Sequence, residues 1–120
     1  MLILLLNSSL AWAEQRIIAL APHITEMLYA IGAGDRLVAV SDYSDYPEQA
    51  AGLPSVANYA SINIEAVLAL QPDLVIAWRT GNPQADIKRL QQLGIKVAFS
   101  DPLTLDDIAE ELVMLGELTA

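Results

Sequence analysis

The chain has 120 residues, the length of one domain, and 54% of them are hydrophobic, which excludes an intrinsically disordered protein. Six basic and fifteen acidic residues give a formal net charge of −9, so no nucleic-acid partner is expected, because phosphate binding requires a basic face. The absence of cysteine excludes disulfide bonds, thiol catalysis and thiolate metal sites.

The beginning of the chain differs in composition from the rest. An apolar run, L-I-L-L-L, is followed by A-W-A, a small-x-small site directly before Glu14. We predict that residues 1–13 are a secretory signal peptide, although no Lys or Arg precedes the run. The alternative is a buried N-terminal segment. The run is far shorter than the ~20 residues that span a membrane, so a membrane-spanning protein is not expected.

Short apolar runs then alternate with stretches of helical periodicity. In chain order, the pattern predicts a strand at Arg16–Leu20, a helix at Thr25–Ile31, a strand at Leu37–Val40, an irregular stretch at Ala50–Ser61 with a short strand near Val56, and a helix at Ile64–Leu70 capped by Asn63.

The second half of the chain continues this alternation. It predicts a strand at Leu74–Trp78, a helix that starts at Pro83 behind an Asn82 cap, a strand at Ile95–Phe99, and a helix that starts with a Thr104–Asp107 capping box and has the apolar stripe Leu105, Ile108, Leu112 and Leu115. Strands that alternate with helices predict an α/β fold, in which helices flank a parallel sheet.

Aromatic residues follow several of the predicted strands. Ligands of open parallel sheets bind beyond the carboxyl ends of the strands. Tyr43, Tyr46, Tyr59 and Trp78 should therefore gather at one rim, which suits a large, flat ligand held by stacking. The alternative is structural, with Tyr46 packed under its own loop and Trp78 closing the end of the sheet.

His23 is the only histidine, and it is a weak candidate for catalysis or metal binding. Ser41 or Ser44 could approach it, but no G-x-S-x-G nucleophile elbow is present. A zinc site usually needs several His, Cys or carboxylate ligands. A loop or capping role for His23 is favoured, and the sequence does not indicate an enzyme.

Glu65 lies in the first turn of the apolar helix N-I-E-A-V-L-A-L, without a basic neighbour in sequence. Taken alone, it is best explained as a solvated carboxylate that suits the helix dipole.

Three segments together resemble one family: S-D-Y-S-D-Y-P, N-I-E-A-V-L-A-L-Q-P-D-L-V-I-A-W-R-T-G-N and Q-L-G-I-K-V. They are similar to the periplasmic cobalamin-binding proteins of vitamin-uptake ABC importers, over Arg16–Ala120. P-D-L-V-I-A-W alone indicates only the wider cluster of siderophore-, haem- and cobalamin-binding proteins. Y-S-D-Y-P with A-W-R-x-G-N is narrower and favours cobalamin.

The resemblance implies a helical-backbone (class III) periplasmic binding protein, in which one long helix joins two Rossmann-like α/β lobes and the ligand lies between them. Residues 14–103 would be the N-terminal ligand-binding lobe, residues 104–120 the start of the linking helix, and the second lobe would be absent. Such a protein captures cobalamin as a transported ligand, needs no cofactor, and delivers it to an inner-membrane ABC permease.

The family's functional residues carry over to four positions. Tyr43, Tyr59 and Trp78 match aromatic ligand contacts, although the family more often has tryptophan at Tyr59. Glu65 matches the glutamate that docks onto permease arginines, which replaces the helix-dipole explanation. At His23 the family usually has a small or amide residue, so the resemblance assigns His23 no role.

Other functions remain open on the sequence. A siderophore- or haem-binding receptor of the same fold is the first alternative. A metal-dependent hydrolase fragment around His23 is an alternative of a different class. A lobe that folds but binds nothing tightly is the third.

Overall fold

The computed structural model describes residues 15–120 and contains one five-stranded sheet. All neighbouring strands are parallel, in the order β3-β2-β1-β4-β5. The strands are β1 (Ile17–Ala19), β2 (Leu37–Ser41), β3 (Ser55–Ala57), β4 (Leu74–Trp78) and β5 (Val97–Ser100).

Helices cover both faces of the sheet. They are α1 (Pro22–Ala30), α2 (Ile64–Ala69), α3 (Gln84–Gln92) and α4 (Leu105–Leu118), with two short 3-10 helices at Gly34–Arg36 and Glu48–Gly52. Helices α1 and α4 contact each other, as do α2 and α3.

The core has two apolar layers, one on each side of the sheet. Ile17 and Ile18 are both fully buried but belong to different layers, because successive residues of a strand point to opposite faces. Ile24 and Leu28 of α1 complete the first layer, and the Val67 side chain of α2 belongs to the second. A parallel sheet covered on both faces explains why its strands are continuous apolar runs.

The order of the strands reverses between β1 and β4, so the loops that follow these two strands diverge and leave a crevice between them. Asn82 joins the two sides of this crevice. Its Oδ1 accepts a hydrogen bond from the Trp78 N–H at 2.6 Å, and its Nδ2 donates to the Leu20 carbonyl at 2.9 Å.

The predicted α/β class, with a parallel sheet and flanking helices, is confirmed. The short strand near Val56 is present as β3. The Asn63 cap and the Thr104–Asp107 capping box also form as predicted.

Three local predictions were wrong. Asn82 does not cap α3, because its carboxamide is already used by Trp78 and Leu20, and the helix begins after Pro83. Helix α1 begins at Pro22 rather than Thr25, so His23 lies inside a helix and not in a loop. In α4 only the second half of the apolar stripe packs, since Leu115 is buried whereas Leu105 is 84% exposed.

The predicted signal peptide lies outside the described residues. Within residues 15–120, no helix is long and apolar enough to cross a membrane.

We expect Asn82→Ala to lower the free energy of unfolding by about 2 kcal/mol, because it removes the hydrogen-bond partner of two main-chain groups at a buried position. Urea denaturation measures this change. Asn58→Ala is the matched control: Asn58 is exposed and accepts only from its own loop, at Ala60 and Ser61. Equal losses in the two variants would contradict a bridging role for Asn82.

Candidate functional site

An apolar depression with about 460 Å³ of empty space opens at the carboxyl edge of the sheet, over the crevice between β1 and β4. Three aromatic rings line it, each from a different part of the chain: Tyr43 in the loop after β2, Tyr59 in the loop after β3 and Trp78 as the last residue of β4. The other lining residues are Leu20, Ala21, Pro22, Ser41, Asp42, Asn58, Gly81 and Asn82.

The predicted grouping of four aromatic residues holds for these three. Tyr46 does not line the depression; it lies with Tyr43 at a smaller neighbouring pocket beside Glu26. Tyr46 is 72% exposed, so it is not packed under its own loop.

Tyr43 combines an exposed ring with an unfavourable backbone conformation. Its φ angle is +65°, in the left-handed region that bulky residues rarely adopt, and its side chain is 84% exposed. Such strain costs on the order of 1–3 kcal/mol and tends to cluster at functional sites. The core gains nothing from this ring, so folding does not explain its presence.

Buried hydroxyl groups fix the loop that carries Tyr43. Ser44 Oγ lies 3.2 Å from Ser41 Oγ and 3.3 Å from Thr25 Oγ1 of α1. The main-chain N–H of Asp42 donates to the Ala57 carbonyl of β3 at 2.8 Å. The two serines that could have approached His23 therefore hold this loop instead.

Tyr59 stands on a tight turn that Asn58 stabilises. Asn58 Oδ1 accepts hydrogen bonds from the N–H groups of Ala60 and Ser61 at 2.8 and 2.9 Å. The Tyr59 side chain is 90% exposed, so its ring projects from the turn into solvent beside the depression.

Trp78 is held more closely than the two tyrosines. Asn82 fixes its main-chain N–H, and the indole lies directly over Gly81, where a Cβ atom would fall 1.9 Å from Trp78 Cε3. The ring of His23 contacts the indole edge-on, with centroids 5.4 Å apart and an interplanar angle of 80°. Glycine at position 81 is therefore required for this placement of the indole.

His23 is half-buried, and its Nε2 lies 2.9 Å from Ser100 Oγ. Burial lowers the pKa of His23 from its ordinary value of 6.5, although Glu111, Asp101 and Glu26 act in the opposite direction. Ser100 is fully buried, so a substrate carbonyl has no path to its hydroxyl group. The His23–Ser100 pair thus lacks the accessible nucleophile that a hydrolase requires.

No site for a metal ion is apparent in the part of the chain that the structure describes. Residues 15–120 contain no cluster of three or more His, Asp or Glu side chains that could hold one. Among the residues that line the depression, the only charged side chain is Asp42, which accepts a hydrogen bond from Ser55 Oγ. The depression therefore offers apolar contact and stacking rather than ion coordination.

Glu65 is exposed in the first turn of α2. This helix begins shortly after the Tyr59 turn, at the same edge of the sheet as the depression. Glu65 is therefore near the depression in the chain but does not line it.

Sequence reasoning missed Gly81 and Asn82 as parts of the site. The sequence predicts Trp78 as the end of a strand and Arg79–Asn82 as a loop whose Asn82 caps the following helix. A glycine three residues after a tryptophan is compatible with close approach of the ring to the main chain, but the pattern alone does not identify it.

Comparison with known proteins places this fold in context. The family model described as "Periplasmic binding protein" matches residues 17–120. The vitamin B12-binding protein of Vibrio cholerae is 54% identical over 106 residues, which cover 88% of this chain and 38% of that protein. The vitamin B12-binding protein of Yersinia pestis is 52% identical over 107 residues, with 89% and 38% covered. The chain thus spans about two fifths of the length of these relatives.

Comparison with solved structures leads to the same family. The crystal structure of the periplasmic vitamin B12 binding protein BtuF of Vibrio cholerae matches with a TM-score of 0.85 at 54% identity, over 88% of this chain and 42% of that one. A periplasmic haem-binding protein from Pseudomonas aeruginosa matches with a TM-score of 0.77 at 27% identity, over 88% and 39%. The resemblance predicted from the sequence motifs is confirmed, and the chain belongs to the periplasmic binding protein family.

Proposed function

We propose that this chain is the N-terminal ligand-binding lobe of a periplasmic protein that captures cobalamin for an ABC importer. Cobalamin is vitamin B12, the ligand named for relatives that are 52–54% identical to this chain. In this proposal residues 14–103 are the lobe, α4 starts the helix that leads out of it, and the role is capture and delivery rather than catalysis.

One observation carries the proposal: three aromatic rings, two from loops and one from the end of a strand, line one apolar depression. A corrin ring is a large, nearly flat macrocycle, and apolar contact with aromatic faces suits it. In the proposal, Tyr43, Tyr59 and Trp78 contact the macrocycle, and no metal ion or cofactor of the protein takes part.

A haem-binding receptor is the second candidate. It is supported by the common fold with a haem-binding protein, at 27% identity against 54% for the vitamin B12 binding protein. Haem is also a flat macrocycle, so the rings alone do not distinguish the two ligands. The higher identity favours cobalamin.

The test is calorimetric titration of the chain with cyanocobalamin, and with haem as the competing ligand. We expect saturable binding of cyanocobalamin and none of haem at the same concentrations. An open depression covers one side of a macrocycle, so the affinity should be much weaker than that of a two-lobed relative. Binding of haem alone would overturn the assignment in favour of the second candidate.

Tyr43→Asn should separate binding from folding. Loss of the ring should weaken cyanocobalamin binding by about 1–2 kcal/mol, as for a lost aromatic contact. Asparagine tolerates a φ angle of +65° better than tyrosine, so the free energy of unfolding should stay the same or rise by up to about 1 kcal/mol.

Tyr46→Asn is the matched control for Tyr43→Asn. It removes an exposed ring from the same loop but outside the depression, so ligand affinity should not change. Calorimetry measures the ligand affinity, and urea denaturation measures the free energy of unfolding. If both variants bind as tightly as the unsubstituted chain, Tyr43 is not a ligand contact.

Glu65 is proposed to dock on arginines of the inner-membrane permease. Glu65→Lys should slow association with the detergent-solubilised permease by about tenfold and reduce its dependence on salt, because it replaces attraction by repulsion. Biolayer interferometry measures the association rate and its dependence on salt.

Glu117→Lys is the matched control: it changes the net charge equally at an exposed position of α4 and should have little effect on association. Similar slowing in both variants would indicate only a general effect of net charge.

A further inference from the structure

His23 is the side chain that connects the wall of the depression with the interior of the lobe. It lies in the first turn of α1, its Nε2 is 2.9 Å from Ser100 Oγ at the end of β5, and its ring meets the Trp78 indole edge-on. Gly81 and Asn82 hold Trp78 from its other sides, but neither of them titrates.

We propose that His23 is a positioning residue for the ligand site: neutral His23 holds the Trp78 indole at the wall of the depression, and protonated His23 turns from Trp78 toward Glu111. The effect on cobalamin affinity rests on the proposed function. The contact between His23 and Trp78 does not.

The first argument concerns the hydroxyl group of Ser100. This side chain is fully buried, and among the described residues its hydrogen-bond partner is His23. The Nε2 atom of a neutral imidazole can accept a hydrogen bond from the hydroxyl group, whereas an imidazolium is a donor at both nitrogens. With Nε2 as the acceptor, protonation reverses this hydrogen bond: the imidazolium donates to Ser100 Oγ, and the buried hydroxyl proton is left without an acceptor, which is unfavourable.

The second argument concerns Glu111 of α4. Its Oε2 accepts a hydrogen bond from the Asp101 N–H at 3.1 Å, but its Oε1 is buried and has no partner within residues 15–120. Buried carboxylate oxygens without partners are costly. An imidazolium at position 23 would supply the missing charged donor, so Glu111 competes with Ser100 and Trp78 for the ring once the ring is protonated.

The direction of the pH effect follows from the groups that face His23. Burial favours the neutral ring, whereas Glu111 of α4, Asp101 after β5 and Glu26 of α1 favour the charged ring; the net result is a lowered pKa. The neutral form therefore prevails at neutral pH. A ligand over Trp78 would bury His23 further, so ligand affinity should be constant above the ordinary pKa of 6.5 and should fall as the pH drops below it.

The primary test needs no ligand. In a Trp12→Phe background, Trp78 is the only tryptophan of the chain, and its emission and anisotropy report its surroundings. We expect both to fall between about pH 7 and pH 5, because protonation of His23 ends its contact with the indole and leaves that ring more mobile and more exposed to solvent. In His23→Gln, which keeps an amide in place of the ring but does not titrate, both signals should stay constant.

Two carboxylate variants separate the parts of the proposal. Glu26→Gln removes an exposed carboxylate of α1 that favours the charged ring, so the transition should keep its full amplitude and move to slightly lower pH. Glu111→Gln removes the competing carboxylate, so the anisotropy of Trp78 should stay high at acidic pH. An unchanged Trp78 signal in the His23-containing chain, or a transition that persists in His23→Gln, would overturn the proposal whether or not cobalamin binds.

The ligand arm compares cyanocobalamin affinity at about pH 7.5 and about pH 5.5. We expect a loss of about three- to tenfold at acidic pH, because a difference of about one pKa unit between free and bound states corresponds to tenfold. His23→Gln should show no such loss. A Trp78 transition without any change in affinity would refute the link to the ligand site. Absence of cobalamin binding at both pH values would refute the proposed function, while the fluorescence test still decides the role of His23.

Discussion

The depression depends on the two hydrogen bonds made by one buried side chain, Asn82. The last main-chain hydrogen bond between β1 and β4 runs from the Leu20 N–H to the Ile76 carbonyl at 3.0 Å, and beyond it the two chain segments separate and leave main-chain groups that need other partners. The carboxamide of Asn82 satisfies one such group on each side, the Leu20 carbonyl and the Trp78 N–H. Because these bonds fix where β4 ends, they also set the position of Trp78 and therefore of the wall on which a ligand would rest.

The scaffold and the site draw on different residues. The core consists of Ile, Leu, Val and Ala side chains on both faces of the sheet, whereas the rings of Tyr43 and Tyr59 are almost fully exposed. Hydroxyl groups and an asparagine turn, not apolar packing, hold the loops that carry these rings. Substitution of a ring should therefore alter binding with little effect on folding, which is the usual arrangement for loops on a rigid sheet.

The sequence predicted those features that depend on neighbours along the chain. The strand–helix alternation, the Asn63 cap and the Thr104–Asp107 capping box are local patterns, and all are present. It could not predict contacts between distant residues. The partner of Asn82 just after β1 is 62 positions away, and that of His23 is 77 positions away, so local rules assigned each of these residues a capping or loop role instead.

The candidate site was predictable to a similar extent. The rule that ligands bind at the carboxyl edge of a parallel sheet predicted that aromatic residues would gather there. That rule does not specify side-chain direction, which is why Tyr46 was grouped with the three rings that line the depression. The contact of Gly81 with Trp78 depends on the turn geometry, which no periodic pattern encodes.

The three rings of the depression limit how tightly this chain can bind a ligand. Fully burying a large apolar side chain contributes about 1.5–3 kcal/mol to binding. The Trp78 side chain is only 39% exposed before a ligand binds, so its burial contributes less than that of either tyrosine. Association of two molecules costs an estimated 4 kcal/mol or more in lost freedom. The three rings together thus offset only the lower part of this cost, which ranges from about 4 to 15 kcal/mol, so a tight complex requires contacts on the opposite face of the ligand. The backbone strain at Tyr43 agrees with this account. The strained residue carries an exposed ring that contributes nothing to the core, which favours a role in ligand contact over a role in folding.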